Sequence, residues 1–263
     1  MNILEDIENL NRRKSVHHQG RILTIDIERL PGLARVFDQK TKFVSYRNFR
    51  EEPRTICWAA RWKGQKRMMF EAEWKDPEAM LRKSWELFDQ ADAVLTFNGK
   101  KFDIPHLRGA WLEAGFPPPR PWKDIDLYAL ARNKFGYTSN SLDHITKRLG
   151  FRGKNDAYSI EMGEAATSGD KEAQKRLREY NASDVELTEF LHQRLLGYMP
   201  THPHLGRTSK ITCNQCGGKE LAEQPNNYQA VLLQYQMFRC DNCGGIVRSN
   251  WNVARTAISR GVA

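Results

Sequence analysis

Hydrophobic and polar positions alternate along the first part of the chain with the period of two that is typical of β-strands. In the run TIDIE, Ile25 and Ile27 alternate with the acids Asp26 and Glu28. Taken alone, this pattern predicts an amphipathic strand with both carboxylates on its polar face. Strand-like runs are predicted at 21–28, about 33–38, 54–62 and 66–72, with KGQK as the turn within the last pair.

Helical periodicity begins in the segment DPEAMLRKSWELFDQA. Asp76 can cap this helix and Pro77 suits its first turn. A short apolar run, AVLTF, then predicts a buried strand. Further helices are predicted at about 103–115, 126–134, 141–149 and 171–197, the last with a break near Asp184. Antiparallel strands, a crossover helix and another central strand indicate an α/β layered domain.

Composition changes along the chain predict three regions. Residues 1–18 are polar and are expected to form a flexible arm. The α/β domain is expected over 19–199. The segment LLGYMPTHPHLGRTSK contains prolines and glycines without periodicity and has the character of a linker. Residues 200–263 therefore comprise this linker and a second domain, too small for a self-sufficient core, which a metal would stabilise.

Four of the five cysteines form two pairs, CNQC and CDNC, separated by twenty-three residues. This spacing favours one structural Zn²⁺ bound tetrahedrally by four thiolates, namely Cys213, Cys216, Cys240 and Cys243. The segment resembles a zinc ribbon. Its role is open between guiding a single strand through residues such as Tyr235 and Arg248, contact with a partner protein, and packing against the main domain.

The chain is basic, with 41 Lys and Arg against 32 Asp and Glu and a formal charge of +9. This balance favours a polyanionic partner such as nucleic acid. No run approaches the roughly 18 apolar residues that span a bilayer, and acids occupy the region where a signal peptide would be basic. We expect a cytoplasmic protein without membrane association, and the paired cysteines agree with a reducing compartment.

Two later segments deliver polar residues to the region of the first strand. FNGKKFDIPHL ends a buried strand at Phe97 and enters a helix at Asp103, beyond the carboxyl end of the strand, where ligands of α/β sheets commonly lie. YNASDVE places Tyr180 and Asp184 four residues apart on one helical face. Taken separately, Asp103 is a plausible helix cap and the second segment an ordinary amphipathic helix.

Together, TIDIE, FNGKKFDIPHL and YNASDVE resemble the three motifs of the DEDD exonuclease superfamily. The resemblance is to the Tyr-bearing subclass found in proofreading domains of family B DNA polymerases and in stand-alone ribonuclease H-like exonucleases. It covers roughly residues 20–198, and Glu179 stands where the His-bearing subclass has its histidine. It implies a ribonuclease H-like mixed five-stranded sheet flanked by helices.

The resemblance implies a catalytic site made of Asp26, Glu28, Asp103, Tyr180 and Asp184. The four carboxylates would bind two Mg²⁺ or Mn²⁺ ions, with Asp26 bridging both and Asp103 acting mainly through waters. Tyr180 would orient the attacking water. Elementary chemistry agrees, because two hard cations with oxygen ligands activate water and stabilise the leaving oxygen in phosphodiester cleavage, whereas clustered acids without cations repel one another.

The sequence therefore predicts a metal-dependent 3′→5′ exonuclease that acts on single-stranded or frayed DNA ends. Candidate substrate contacts, chosen by their position beside Asp103, are Asn98, Lys100, Lys101 and Phe102. Proofreading for a replication polymerase would occur in trans, and a role in replication or repair is a hypothesis. The alternatives are a 3′→5′ exoribonuclease and a non-catalytic nucleic-acid-binding module on the same scaffold.

Overall fold

The computed structural model describes residues 20–153, 156–203, 211–230 and 233–253. The predicted arm at 1–18 lies outside these ranges. The chain divides into a larger unit, Arg21–Arg194, and a smaller unit that includes the chain from Leu195 onward.

In the larger unit, the strands are β1 (Ile22–Leu30), β2 (Leu33–Ala34), β3 (Phe49–Glu51), β4 (Arg54–Trp62), β5 (Met69–Ala72), β6 (Ala93–Thr96) and β7 (Lys123–Asp126). The helices are α1 (Pro77–Gln90), α2 (Asp103–Glu113), α3 (Leu127–Lys134), α4 (Leu142–Arg148), α5 (Ile160–Thr167) and α6 (Lys171–Leu195). The last helix ends at the boundary of the smaller unit, whose strands are β8 (Leu221–Gln229), β9 (Gln234–Cys240) and β10 (Ile246–Arg248).

The main sheet has five strands in the order β5-β4-β1-β6-β7, with β1 at its centre. β1 is antiparallel to β4 and parallel to β6, so the sheet is mixed. The predicted mixed five-stranded sheet flanked by helices is confirmed, and a small cysteine-containing unit accompanies it.

Apolar residues cover both faces of the sheet. Ile25 and Ile27 of β1 pack with Phe88 of α1 and Trp111 of α2 on one face. On the other face, strand residues such as Ile56 pack with α5 and α6. Because both faces of β1 are covered, Thr24 and Glu28 are buried and Asp26 is only partly exposed.

The capping residues in the sequence correctly predicted the start of α1. The Asp76 side chain accepts a hydrogen bond from the Ala79 N–H group at 2.9 Å, and Pro77 occupies the first helical position. The Asp76 carboxylate gives a partner to an N–H group that has none within the helix. Pro77 has no N–H group, at a position where one would lack a partner. Within the described residues, no helix combines the length and apolar character needed to cross a membrane.

The predicted strand at 33–38 is wrong in extent and partner. Only Leu33 and Ala34 are extended, and they pair with β3 outside the main sheet. In the part of the chain that the structure describes, no layer covers the rest of the run: Val36 is 50% exposed and Phe37 is fully exposed. An apolar composition without a surface to pack against does not make a core strand.

The predicted break near Asp184 is also wrong, because α6 is continuous from Lys171 to Leu195. Neither proline nor glycine interrupts it. Asn181 and Ser183 have modest helix propensity, but both are buried, and tertiary contacts outweigh that preference. Sequence periodicity did not identify β3, the polar edge strand β7 or the short helix α5.

We predict that Phe88→Ala will lower the free energy of unfolding by about 3–5 kcal/mol, the usual range for truncating a buried aromatic residue. Phe88 is fully buried, and its ring makes edge contacts with Trp111 and Trp122 at centroid distances of 4.9 Å. Urea unfolding followed by circular dichroism measures the change. Leu112→Ala is the control, because the Leu112 side chain is 77% exposed. Equal losses in both variants would contradict the described packing.

Candidate active site and cysteine cluster

Three carboxylates meet on the face of β1 that α6 covers. Asp26, Glu28 and Asp184 each contribute an oxygen, and these oxygens all lie within 4.8 Å of one another. Glu28 is 9% exposed and Asp184 is 5% exposed, so solvent screens them little. The structure thus brings together three of the four acids that the sequence singled out.

The period-two alternation of β1 sends Asp26 and Glu28 toward α6, while Ile25 and Ile27 pack on the opposite face. α6 is held against the sheet by polar contacts of Glu189, five residues beyond Asp184. Glu189 accepts hydrogen bonds from the guanidinium of Arg61 on β4 and from the Thr24 hydroxyl.

Asn181 belongs to this site and was missed by sequence reasoning. Its Nδ2 donates hydrogen bonds to the Asp26 carboxylate oxygen Oδ2 at 2.7 Å and to the Asp26 carbonyl at 3.2 Å. The side chain is fully buried and therefore fixes the rotamer of Asp26. The available signal was its spacing: Asn181 lies three residues before Asp184, on the same helical face.

Asp103 lies near this triad without sharing its close oxygen contacts. It is the first residue of α2, and its Oδ1 accepts a hydrogen bond from the Ile27 N–H group at 3.0 Å. β6 pairs with β1 only as far as Thr24. Beyond that point, the Asp103 carboxylate accepts the hydrogen bond of the Ile27 N–H group. Burial, opposed by hydrogen bonds and reinforced by the charges of Asp126 and Asp184, raises the pKa of Asp103 to about 7.

Tyr180 lies one helical turn before Asp184, as predicted. It is half-buried and borders a cavity of about 190 Å³ together with Asp156, Arg176, Glu179 and Ser183. Its ring centroid is 6.4 Å from that of Tyr158.

Tyr158 is a second residue that the sequence did not reveal. Its hydroxyl donates a hydrogen bond to the Arg29 carbonyl at 2.7 Å, immediately after Glu28 in β1. Burial first, and then the negative charge of Glu28, raise the pKa of Tyr158 to about 12. Tyr158 therefore remains a neutral hydroxyl beside the carboxylates at physiological pH.

The four predicted substrate contacts lie on the loop between β6 and α2. Asn98 has a φ of 69°, a left-handed conformation that asparagine tolerates. A Cβ at Gly99 would lie 2.4 Å from the Thr96 side chain, so the turn requires glycine. Lys100, Lys101 and Phe102 are exposed, and the Phe102 ring lies edge-on to His106 at 4.9 Å.

Asp126 fixes this loop. Its carboxylate accepts hydrogen bonds from the N–H groups of Asn98 at 3.1 Å and Lys100 at 3.2 Å, and it also caps α3. A capping acid before a helix was readable from the sequence, whereas its second function depends on β7 lying beside β6.

The four cysteines of the smaller unit form a second cluster. Sγ–Sγ distances are 3.7 Å between Cys213 and Cys243 and 3.5 Å between Cys216 and Cys240. Four thiolates around tetrahedral Zn²⁺ lie about 3.8 Å apart, given a Zn–S length of about 2.3 Å. The donor set and its spacing are therefore compatible with zinc.

Equivalent turns present the two cysteine pairs. The Gly217 N–H group donates to the Cys213 carbonyl, and the Gly244 N–H group donates to the Cys240 carbonyl, each at 2.8 Å. Both glycines have φ above 70°, which explains why each pair is followed by glycine.

The pKa of Asp103 predicts a pH dependence of stability in buffer that retains zinc but contains no Mg²⁺ or Mn²⁺. The folded state keeps the Asp103 proton up to about pH 7, whereas the unfolded chain releases it near 3.8. The folded state therefore binds more protons across this interval, and the free energy of unfolding should fall as pH rises from about 4 to about 7. Asp103→Asn retains an oxygen acceptor for Ile27 and should show a smaller fall. Urea unfolding at stepped pH measures both profiles, and parallel profiles would contradict the assignment.

Comparison with known proteins places this geometry in a family. A search of curated proteins finds no significant match. A family profile described as the RNase H superfamily matches residues 54–196, more than half of the chain. The matched range runs from β4 through α6 and contains Asp103, Tyr180 and Asp184, whereas Asp26 and Glu28 precede it. RNase H-like domains typically use divalent metals, and membership suggests a nuclease-type hydrolase. The chain belongs to the RNase H superfamily.

Proposed function

We propose that this protein is a metal-dependent 3′→5′ exonuclease that releases nucleotides from single-stranded or frayed DNA ends. The observation that carries the proposal is the convergence of Asp26, Glu28 and Asp184 within 4.8 Å in a chain of the RNase H superfamily. Ionised acids at such distances, two of them buried, repel one another unless cations or protons compensate them.

The donor set suits two Mg²⁺ or Mn²⁺ ions, because hard divalent cations prefer carboxylate oxygens. Asp26, Glu28 and Asp184 would hold them, with Asp26 oriented by Asn181. Asp103, whose Oδ1 is engaged by Ile27, would act mainly through waters. Bound divalent cations at this site would supply activation of water and neutralisation of charge on the leaving oxygen.

The chain's own groups would bind and orient the substrate. The Tyr180 hydroxyl would orient the attacking water, since an ordinary phenol titrates near 10 and is a poor base at neutral pH. Asn98, Lys100, Lys101 and Phe102 occupy the loop that delivers Asp103. The two exposed lysines suit the phosphate backbone, and the exposed Phe102 ring suits base stacking.

We propose one structural Zn²⁺ bound by Cys213, Cys216, Cys240 and Cys243 in a zinc ribbon. Free thiols arranged for a metal favour a reducing compartment such as the cytoplasm. The chain would act on polymerase products in trans, in replication or repair. The second candidate function is a 3′→5′ exoribonuclease, which the same carboxylate geometry accommodates. The third is a non-catalytic nucleic-acid-binding module.

We predict that the wild-type protein will shorten 5′-labelled single-stranded DNA progressively from its 3′ end in Mg²⁺ or Mn²⁺. Asp26→Asn should reduce the rate by at least about 100-fold, as expected when electrostatic stabilisation of the transition state is lost. Glu86→Gln, an exposed change on α1 that removes the same charge, is the matched control. Gel analysis of 3′- and 5′-labelled DNA and RNA defines polarity and substrate. Shortening from the 5′ end would refute the polarity, and binding without cleavage under every metal condition would favour the module.

We predict that Tyr180→Phe will lose most activity while keeping its affinity for Mn²⁺, because the variant removes a hydroxyl but no carboxylate. Rates on the same DNA and Mn²⁺ titration by electron paramagnetic resonance separate these effects. Tyr198→Phe, at an exposed tyrosine, is the control. Full activity, or weakened Mn²⁺ binding, would show that the assigned role of Tyr180 is wrong.

A further inference from the structure

One face of the three-stranded sheet in the smaller unit carries aromatic and basic residues that are not part of the proposed zinc site. Cross-strand register pairs Tyr228 with Tyr235 and Arg248 with Met237. Arg239 also shares this face through the alternation of β9. We name these five residues the outer face. The opposite face carries Phe238, which packs with the cysteine cluster.

The tyrosine and arginine side chains of the outer face already contact one another in the absence of a ligand. The Arg248 guanidinium carbon lies 3.9 Å from the centroid of the Tyr235 ring and 5.5 Å from that of Tyr228. The two tyrosine centroids are 6.4 Å apart. Arg248 Nη1 also donates to the Ser249 carbonyl at 3.1 Å. A guanidinium already held over an aromatic ring presents a planar group and loses little further rotamer freedom when a ligand stacks on it.

The charge of the outer face is positive and uncompensated by its own strands. Within β8, β9 and β10 the only acid is Glu223, and register places it opposite Phe238, on the face toward the cysteines. Arg239 and Arg248 are exposed and form no ion pair with any residue in the described ranges. Arg239 Nη1 donates only to the Gly244 carbonyl at 2.9 Å, so no acid in the described ranges neutralises either guanidinium charge.

We propose that the outer face binds single-stranded nucleic acid, with bases stacking on the Tyr228–Tyr235–Arg248 group and phosphates contacting Arg239 and Arg248. Planar groups combined with arginines that form no ion pair in the described part of the chain fit this ligand, because every base has a π-face and every linkage carries a negative charge. The choice of nucleic acid over another polyanion rests on the proposed function. The site itself is separate from the carboxylates and would retain the strand independently of cleavage.

The test uses the full chain with Asp26→Asn as background, in Mg²⁺ without chelator, so that the probe stays intact and zinc stays bound. Fluorescence anisotropy with labelled 30-nucleotide oligothymidylate measures the affinity. Tyr235→Ala and Arg248→Ala should each weaken binding by about 10-fold, within the range for loss of one base-stacking contact. Tyr235→Phe should retain affinity because it keeps the ring. Lys219→Ala, an exposed one-charge change that precedes β8, is the control and should alter affinity less than twofold.

Unchanged affinity in Tyr235→Ala and Arg248→Ala, with one zinc per chain by metal analysis, would overturn the proposal. Equal loss in Arg248→Ala and Lys219→Ala, with none in Tyr235→Ala, would overturn it too, because charge alone would then explain binding. The same outer-face changes in the active chain should leave cleavage of trinucleotides unchanged. Absence of cleavage by the wild-type chain, with outer-face-dependent binding intact, would refute the exonuclease proposal alone.

Discussion

The site depends on how α6 is held against the centre of the sheet, because that contact brings oxygens of three acidic side chains within 4.8 Å of one another. Arg61 of β4 anchors the helix to the sheet: its guanidinium pairs with Glu189 and approaches Glu186 at 3.9 Å. These pairs lie beyond Asp184 along the helix and contribute no cation to the carboxylates themselves. Leu177 and Val185 of α6 add apolar burial against β4 and α5. The helix is therefore fastened on both sides of the acids, which permits the acids to remain close.

β1 links the cluster of carboxylates to the hydrophobic core. Its apolar side chains form the interface with α1 and α2, so any shift in its register by one residue would exchange buried isoleucines for carboxylates. Ile27 illustrates the coupling, since its side chain lies in the core and its N–H group holds Asp103. Core packing thus fixes the position of β1, and β1 in turn fixes three of the four acids: two by covalent connection and one by a hydrogen bond. The fourth, Asp184, depends on α6.

Features governed by nearby residues were predictable from the sequence, and features governed by tertiary partners were not. The Asp76 cap, the paired cysteines and the alternation of TIDIE all depend on residues within a few positions of each other. The supposed break at Asp184 failed because Asn181 finds its hydrogen-bond partner in β1, more than 150 residues away. The strand predicted at 33–38 failed for the opposite reason, since no residue of the described ranges covers Phe37. Asp126 was recognisable as a helix cap but not as the anchor of the Asn98 loop, which requires the pairing of β6 with β7.

The family match and the geometry of the site concern different residues of the candidate active site. The RNase H superfamily profile begins at residue 54, after Asp26 and Glu28, so the family match by itself says nothing of these two acids. β1 lies between β4 and β6, both within the matched range, and pairs with each of them. That pairing places the two acids against Asp184, which the match does contain. The family supplies the scaffold and its general chemistry, and the strand that precedes the matched range supplies the residues on which the specific exonuclease proposal depends.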